Sequence, residues 1–299
     1  MLIIPKGARV LGQGITGSEG SRAVPWMKQY GTNLVAGVTP GKGGQEVEGV
    51  PIYNSVKEAV EAVGNIDVAV QFVPAKFMKA ALIEAVDAGI KLHIIQAEKV
   101  PTQDTAFVVA YAKGKGATIV GPNTAGLISP SRQLKLGLVG GGNPTKMFMP
   151  GNIAVLSKSG SMAAEISLQL KKAGLGVSWA IGIGGDRIIG SDFVDLMLDL
   201  EQDPETIAYV LFGELGGTYE ERVAEYVKSA QIKKPVVAFI AGEFTMKLPS
   251  DVQFGHAGAI IEGDKGRPDH KRQVLREAGV KVADDLDQIP GFVKELING

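Results

Sequence analysis

No cysteine occurs anywhere in the 299 residues. That excludes disulfides, thiolate metal sites and an acyl group carried on a Cys sulfur, and it fits a reducing compartment. Histidine is scarce at 3 residues, and aromatics make up only 6% of the chain. Charge of one sign is not in excess: 31 basic side chains face 32 acidic ones, a net charge of −1, so nothing favours a nucleic acid or an anionic membrane as partner. No apolar run approaches the ~18 residues of a membrane span, and the run after Met1 is too short for a secretory signal. The expectation is a cytoplasmic protein.

What the chain does have is 45% apolar residues, 21% charged residues and 40 glycines. Its length suffices for two domains. Short apolar runs alternate with helical patterns, which implies an α/β protein with parallel, doubly wound sheets. In the first half the strands are expected at Ala8–Leu11, Asn33–Val38, Asp67–Phe72, Lys91–Ile95 and Thr118–Val120. Helices fall near Glu19–Tyr30, Val56–Val63, Ala75–Ala88 and Thr102–Lys115, with Asn54 or Ser55 and Thr102 as caps. From about Ser129 to Pro150 no periodicity is evident, which places the junction at its start and gives domains of 1–130 and 131–299. Strands resume at Ile153–Leu156, Val177–Ile181, Ala208–Phe212, Pro235–Ile240 and Val280–Val282.

Gly12-Gln13-Gly14-Ile15-Thr16-Gly17 fits G-x-G-x-x-G between a strand and a helix, where glycines let an anion approach the helix N-terminus. A dinucleotide site usually ends its second strand on Asp or Glu to hold the ribose hydroxyls. Here that strand runs into Thr39-Pro40-Gly41-Lys42-Gly43-Gly44, with no acid and one Lys. Such a turn suits a phosphorylated ribose, as in CoA or NADP, or is simply a solvated surface loop. It is not a Walker A loop, because Gly43 stands where Ser or Thr should hold magnesium.

In the second half, strands end on Ser157-Lys158-Ser159-Gly160-Ser161, on Gly182–Arg187 and on Gly213-Glu214-Leu215-Gly216-Gly217. Loops at the carboxyl ends of parallel strands converge on one edge, and Ser159, Gly160 and Ser161 open a helix whose amides could seat a phosphate. Of the histidines, His93 lies in an apolar strand and reads as a core residue, and His270 reads as part of an exposed helix. His256 lies in Phe254-Gly255-His256-Ala257-Gly258-Ala259, where small neighbours permit close approach. Without Cys, His is the natural covalent carrier, although the spacing alone leaves its role open.

Gly14-Ile15-Thr16-Gly17-Ser18-Glu19-Gly20, Gly37–Gly44, Gly121-Pro122-Asn123 and Gly255–Ala259 occur in the order found in one family. The chain resembles, nearly end to end, the α subunits of succinyl-CoA synthetase and related nucleoside-diphosphate-forming acyl-CoA ligases. The resemblance implies a CoA-binding Rossmann-like domain followed by a flavodoxin-like ligase domain. It implies CoA contacts at Gly14, Thr16, Gly17, Ser18, Glu19, Lys42, Gln96, Ala97 and Glu98. It makes His256 a phosphohistidine oriented by Glu214, and it implies an ATP-grasp large subunit that binds ATP and Mg2+, in a heterodimer or heterotetramer. No metal site is expected in this chain.

Departures from the succinate-type pattern suggest another acid. Ala164 stands where that pattern has Tyr, Arg187 follows Gly-Gly-Asp where it has Pro, Thr124 replaces a common Cys, and Val252-Gln253-Phe254 precedes Gly255-His256. Each change resembles the ligase part of ATP-citrate lyase, and the chain is then most similar to the small subunit of citryl-CoA synthetases. The expectation is a citrate–CoA ligase in which the small Ala164 enlarges a pocket and Arg187 grips an added carboxylate. Succinate or malate as the acid, and a non-catalytic CoA-binding regulator, are the alternatives. An NADP-dependent dehydrogenase is disfavoured, because the second half offers no evident hydride-transfer acid/base pair.

Overall fold

The computed structural model describes residues 2–243, 256, 258 and 266–298. Two seven-stranded sheets follow one another along the chain. The first comprises β1 (Arg9–Gln13), β2 (Asn33–Val38), β3 (Glu46–Val47), β4 (Val50–Tyr53), β5 (Val68–Gln71), β6 (Leu92–Ile95) and β7 (Thr118–Val120), in the order β3-β4-β2-β1-β5-β6-β7. All pairs are parallel except β3–β4. Leaving β3 aside, this is the dinucleotide-fold order, with its switch point between β1 and β5.

The connecting helices are α1 (Ser18–Tyr30), α2 (Val56–Val63), α3 (Met78–Asp87) and α4 (Thr102–Gly114). Ser55 caps α2 by accepting from the Glu58 N–H at 3.1 Å. Asn54 does something else: its Oδ1 accepts from the N–H groups of Gly41 and Gly43, both at 3.0 Å, and so clasps the loop that carries Lys42. The expected cap at Thr102 is corrected. Pro101 precedes the helix, Thr102 is its first residue, and no side chain caps it.

The second sheet comprises β8 (Gly126–Ser129), β9 (Leu134–Gly137), β10 (Pro150–Ser157), β11 (Val177–Gly182), β12 (Ala208–Gly213), β13 (Val236–Ile240) and β14 (Lys281–Ala283), in the order β14-β13-β12-β10-β11-β8-β9. Its parallel strands have the flavodoxin order, with the switch point between β10 and β12. Helices α5 (Gly160–Lys172), α6 (Phe193–Leu200), α7 (Tyr219–Lys228), α8 (Pro268–Glu277) and α9 (Ile289–Asn298) accompany them. Strands β8 and β9 are antiparallel to their neighbours, so both sheets are mixed rather than purely parallel. The stretch without periodicity therefore contains strand structure. The change of sheet falls between Val120 and Gly126, and residue 130 lies in the turn of the β8–β9 hairpin.

That hairpin packs against the other domain. Thr32, at the end of α1, exchanges hydrogen bonds with the Lys135 backbone at 2.7 and 3.0 Å, and the buried Lys135 ammonium lies 5.7 Å from the Trp26 ring centre. Burial pushes the Lys135 pKa down to about 8. Gly142, beyond the hairpin, also lies against Trp26. One apolar cluster consequently runs from Val10 and Ile94 through Leu127 and Leu136 to Trp179 and Leu211, across both sheets. Among the described residues no helix is long and apolar enough to cross a membrane.

Candidate functional site

At the first switch point, the loops after β1, β5 and β6 enclose a cleft of about 440 Å³. Gly14, Thr16, Gly17, Ser18, Glu19, Ala97 and Glu98 all line it, together with Thr39 and Phe72 to Ala75. Gly14 has φ +75°, and a Cβ there would stand 3.0 Å from the Phe72 carbonyl oxygen, so glycine is required by conformation and by space. Gly17 precedes α1 without any side-chain cap, which leaves the first amides of that helix directed at the cleft. Thr16 and Thr39 hydroxyls meet at 3.1 Å and tie the first loop to the second.

Two expected contact residues are placed differently. Lys42 is exposed on its clasped loop and does not line the cleft. Gln96 is 8% exposed, and its side chain turns to the hairpin, where Oε1 accepts from the Leu138 N–H at 3.3 Å. It serves the domain junction.

At the second switch point stands His256. Its Nδ1 lies 2.8 Å from both carboxylate oxygens of Glu214, which follows β12. A carboxylate can only accept, so Nδ1 carries the proton and donates, and in the neutral imidazole the Nε2 lone pair is then free to react. The hydrogen bond to Glu214 raises the His256 pKa above its ordinary value; burial and the nearby Lys158 oppose this, while the Glu214 and Asp186 charges add to it. Gly185, after β11, backs the ring: a Cβ there would sit 2.8 Å from the imidazole Cδ2. Gly258 donates its N–H to the Gly185 carbonyl at 3.2 Å, which brings both ends of this turn onto the same loop. Phe254, Gly255, Ala257 and Ala259 of the motif lie outside the described residues.

The loop behind the histidine also reaches the first domain. Asp186 accepts from the Asn123 side chain at 3.0 Å and from the amides of Lys99 and Val100, next to Ala97 and Glu98. Burial raises its carboxyl above the usual range despite these bonds. Asn123 donates its N–H to Ala97 O at 2.8 Å and accepts from Gly185 N–H at 3.1 Å, so the Gly121–Thr124 linker is laced into both sites. Thr124 is buried and bridges the linker to Gly182 O at 2.5 Å.

Ser159, Gly160 and Ser161 open α5 without a side-chain cap. Arg187 is exposed beside Asp186. Ala164 is 9% exposed and belongs to an apolar cluster with Phe148, Ala163 and Phe212. His93 is fully buried, hydrogen-bonds Ile90 O at 3.0 Å through Nε2, and is pushed down to about 4 by burial, as a core histidine should be. His270 is half-buried on α8.

Sequence reasoning missed a buried cluster beneath Glu214, formed by Lys158, Glu220 and Lys271. The one available signal was charged residues inside amphipathic helices on the face that should be apolar.

Comparison with known proteins decides the family. The chain matches the CoA binding domain family over residues 6–99 and the CoA-ligase family over residues 156–281. It is 44% identical to the Archaeoglobus fulgidus succinate–CoA ligase [ADP-forming] subunit alpha 1, covering 99% of this chain and 98% of that one. The chain belongs to the family of ADP-forming CoA-ligase α subunits. Within that family, the Methylorubrum extorquens malate–CoA ligase subunit alpha is 41% identical over 99% of this chain and 98% of its own length. Among solved structures, a Methanosaeta concilii ATP citrate lyase mutant in complex with (3S)-citryl-CoA superposes with a TM-score of 0.91 at 25% identity. All of this chain is covered, but it spans only 50% of that longer one.

Proposed function

We propose that this chain is the CoA-binding subunit of an acid–CoA ligase in which His256 carries the phosphoryl group from nucleotide to acid. The observation that carries the reading is the Glu214–His256 pair. A fixed Nδ1–H donor leaves Nε2 as nucleophile, and the carboxylate offsets the imidazolium charge that phosphorylation creates. Nε2 would attack the γ-phosphorus of ATP and release ADP. A carboxylate oxygen of the acid would then take the phosphoryl group, giving an acyl phosphate and restoring the imidazole. Finally the CoA thiol would attack the acyl carbon and expel inorganic phosphate.

In this reading CoA occupies the cleft at Gly14–Glu19 and Ala97–Glu98, with Lys42 at its margin. The α5 amides at Ser159, Gly160 and Ser161 hold phosphoryl oxygens. An ATP-grasp subunit supplies ATP and Mg2+ in a cytoplasmic hetero-oligomer.

For the acid, similarity along the whole chain favours succinate or a near relative such as malate over the citrate suggested by single substitutions. Citrate is kept as a second reading on one observation: Arg187, an exposed residue of a type that can grip a carboxylate, lies on the Gly185-Asp186-Arg187 loop that backs His256.

The test is CoA-dependent ADP and phosphate release by the two-subunit complex with succinate, malate and citrate side by side. Succinate or malate turnover supports the first reading, and citrate turnover that collapses in Arg187→Ala supports the second. In parallel, ATP should label the complex with a base-stable, acid-labile phosphate that His256→Ala abolishes. Labelling that survives the substitution would overturn the phosphohistidine.

A further inference from the structure

The carboxyl end of β12 rests on a buried cluster of charge drawn from three elements. Glu220 lies in the first turn of α7, Lys271 lies on α8, and Lys158 follows β10. Glu220 and Lys271 are fully buried, and Lys158 is nearly so. Glu220 Oε2 accepts from the Lys271 ammonium, and Oε1 lies 3.4 Å from that of Lys158.

Four further hydrogen bonds of the cluster end on the backbone of the Glu214 loop. Glu220 Oε1 accepts from the Glu214 N–H at 3.2 Å. Lys271 donates to Glu214 O at 2.9 Å and to Gly216 O at 2.7 Å, which uses all its donors. Lys158 donates to Gly216 O at 3.1 Å. Gly213 leaves the room for this, since a Cβ there would stand 2.5 Å from Glu220 Oε1.

A buried charge cluster is a poor way to gain stability, because well-packed apolar side chains usually do as well or better. What apolar side chains could not do is grip both the N–H and the C=O of one loop residue. Glu214 is held from below at both backbone groups while its carboxylate faces His256. On the reading of His256 as the phosphoryl carrier, we propose that Glu220 and Lys271 are positioning residues for the reaction: they fix the Glu214 loop so that its carboxylate holds the imidazole with Nε2 directed at the phosphoryl donor. Lys158 completes the charge balance around Glu220 and is a secondary member. Glu220 and Lys271 are fully buried and grip the backbone of the Glu214 loop, so their effect passes through Glu214.

The test is a double-mutant cycle on His256 phosphorylation by ATP in the two-subunit complex, using Lys271→Met, Glu214→Gln and the pair. Lys271→Met retains the length of the side chain and removes its three bonds. The expected result is a labelling rate lower by roughly tenfold or more in Lys271→Met, with CoA affinity unchanged, and little further loss when the substitution is added to Glu214→Gln. Should Lys271→Met fail to fold, Glu220→Asp carries the same cycle, since it keeps the charge but withdraws the carboxylate from the Glu214 N–H. Undiminished labelling, or losses that simply multiply in the double variant, would overturn the positioning role. His256→Ala runs alongside. If it abolishes labelling while the cycle shows no coupling, only the positioning role falls; if it leaves labelling intact, the carrier reading falls and the positioning role with it.

Discussion

The two sheets place a ligand-facing edge at the same topological point, yet they furnish it in opposite ways. The cleft between β1 and β5 is built largely from glycine turns, an uncapped helix start and a pair of threonine hydroxyls. The edge between β10 and β12 is built from side-chain charge, with Glu214 against His256 and a buried Lys–Glu–Lys cluster beneath. Fixed peptide dipoles suit an anion that arrives already charged and leaves unchanged. A histidine that gains and loses a phosphoryl group, as proposed for His256, needs a partner whose charge answers its own. The contrast teaches that switch-point topology says where a ligand sits, whereas the chemistry is decided by what lies under the loop.

The sharpest way to break the contrast is to remove charge from the second site. Glu220→Ala leaves two buried ammonium groups unpaired and should cost about 3–5 kcal/mol, read from denaturant unfolding. A loss below ~1 kcal/mol would mean that water reaches the lysines and that the site is not a buried charge device. No comparable ion pair underlies the first cleft among the described residues, but that domain has its own acid-sensitive group. His93 has its folded pKa lowered from 6.5 to about 4, so the unfolded chain binds the proton more readily. Its contribution is constant above pH 6.5, and stability is lost as pH falls from there towards 4, by about 2 kcal/mol at pH 5. His93→Gln should flatten that part of the stability–pH curve.

Smaller perturbations sharpen the comparison. Gly185→Ala puts a methyl against the imidazole and should slow His256 labelling by about tenfold, with CoA binding retained. Asn54→Ala releases the Lys42 loop and should weaken CoA binding by about fivefold, leaving labelling by ATP untouched. Cross-effects, with Gly185→Ala weakening CoA or Asn54→Ala slowing labelling, would show that the two sites do not act separately.

Most of the central strands could be read from the sequence because they are short, buried on both faces and framed by Gly-rich turns, as β5 and β12 show. The hairpins could not. β3 has only two residues, with Glu46 exposed. β9 carries Lys135, which is buried against Trp26 of the other domain, so its polarity hides a strand whose burial comes from tertiary packing. At the sites, the glycine loops and His256 stand out as local motifs. Gln96 looked like a ligand contact because it adjoins Ala97, but its side chain leaves on the opposite side. Ala164 looked like vacated space, but it belongs to an apolar cluster with Phe148 and Phe212, which are distant in the chain. Glu220 and Lys271 are 51 residues apart, and no local pattern joins them.

The continuous apolar cluster across both sheets, with the Gly121–Thr124 linker laced between them, has a consequence for reach. The span from the cleft to the imidazole is set by packing and not by a hinge, so the protein acts as a ruler. On the proposed function, the tethered thiol of CoA has to measure that span with its own arm. On that reading, a CoA analogue with a shortened arm would dock at the cleft normally and still leave the activated acyl group waiting, and the selection would lie in length, not in affinity.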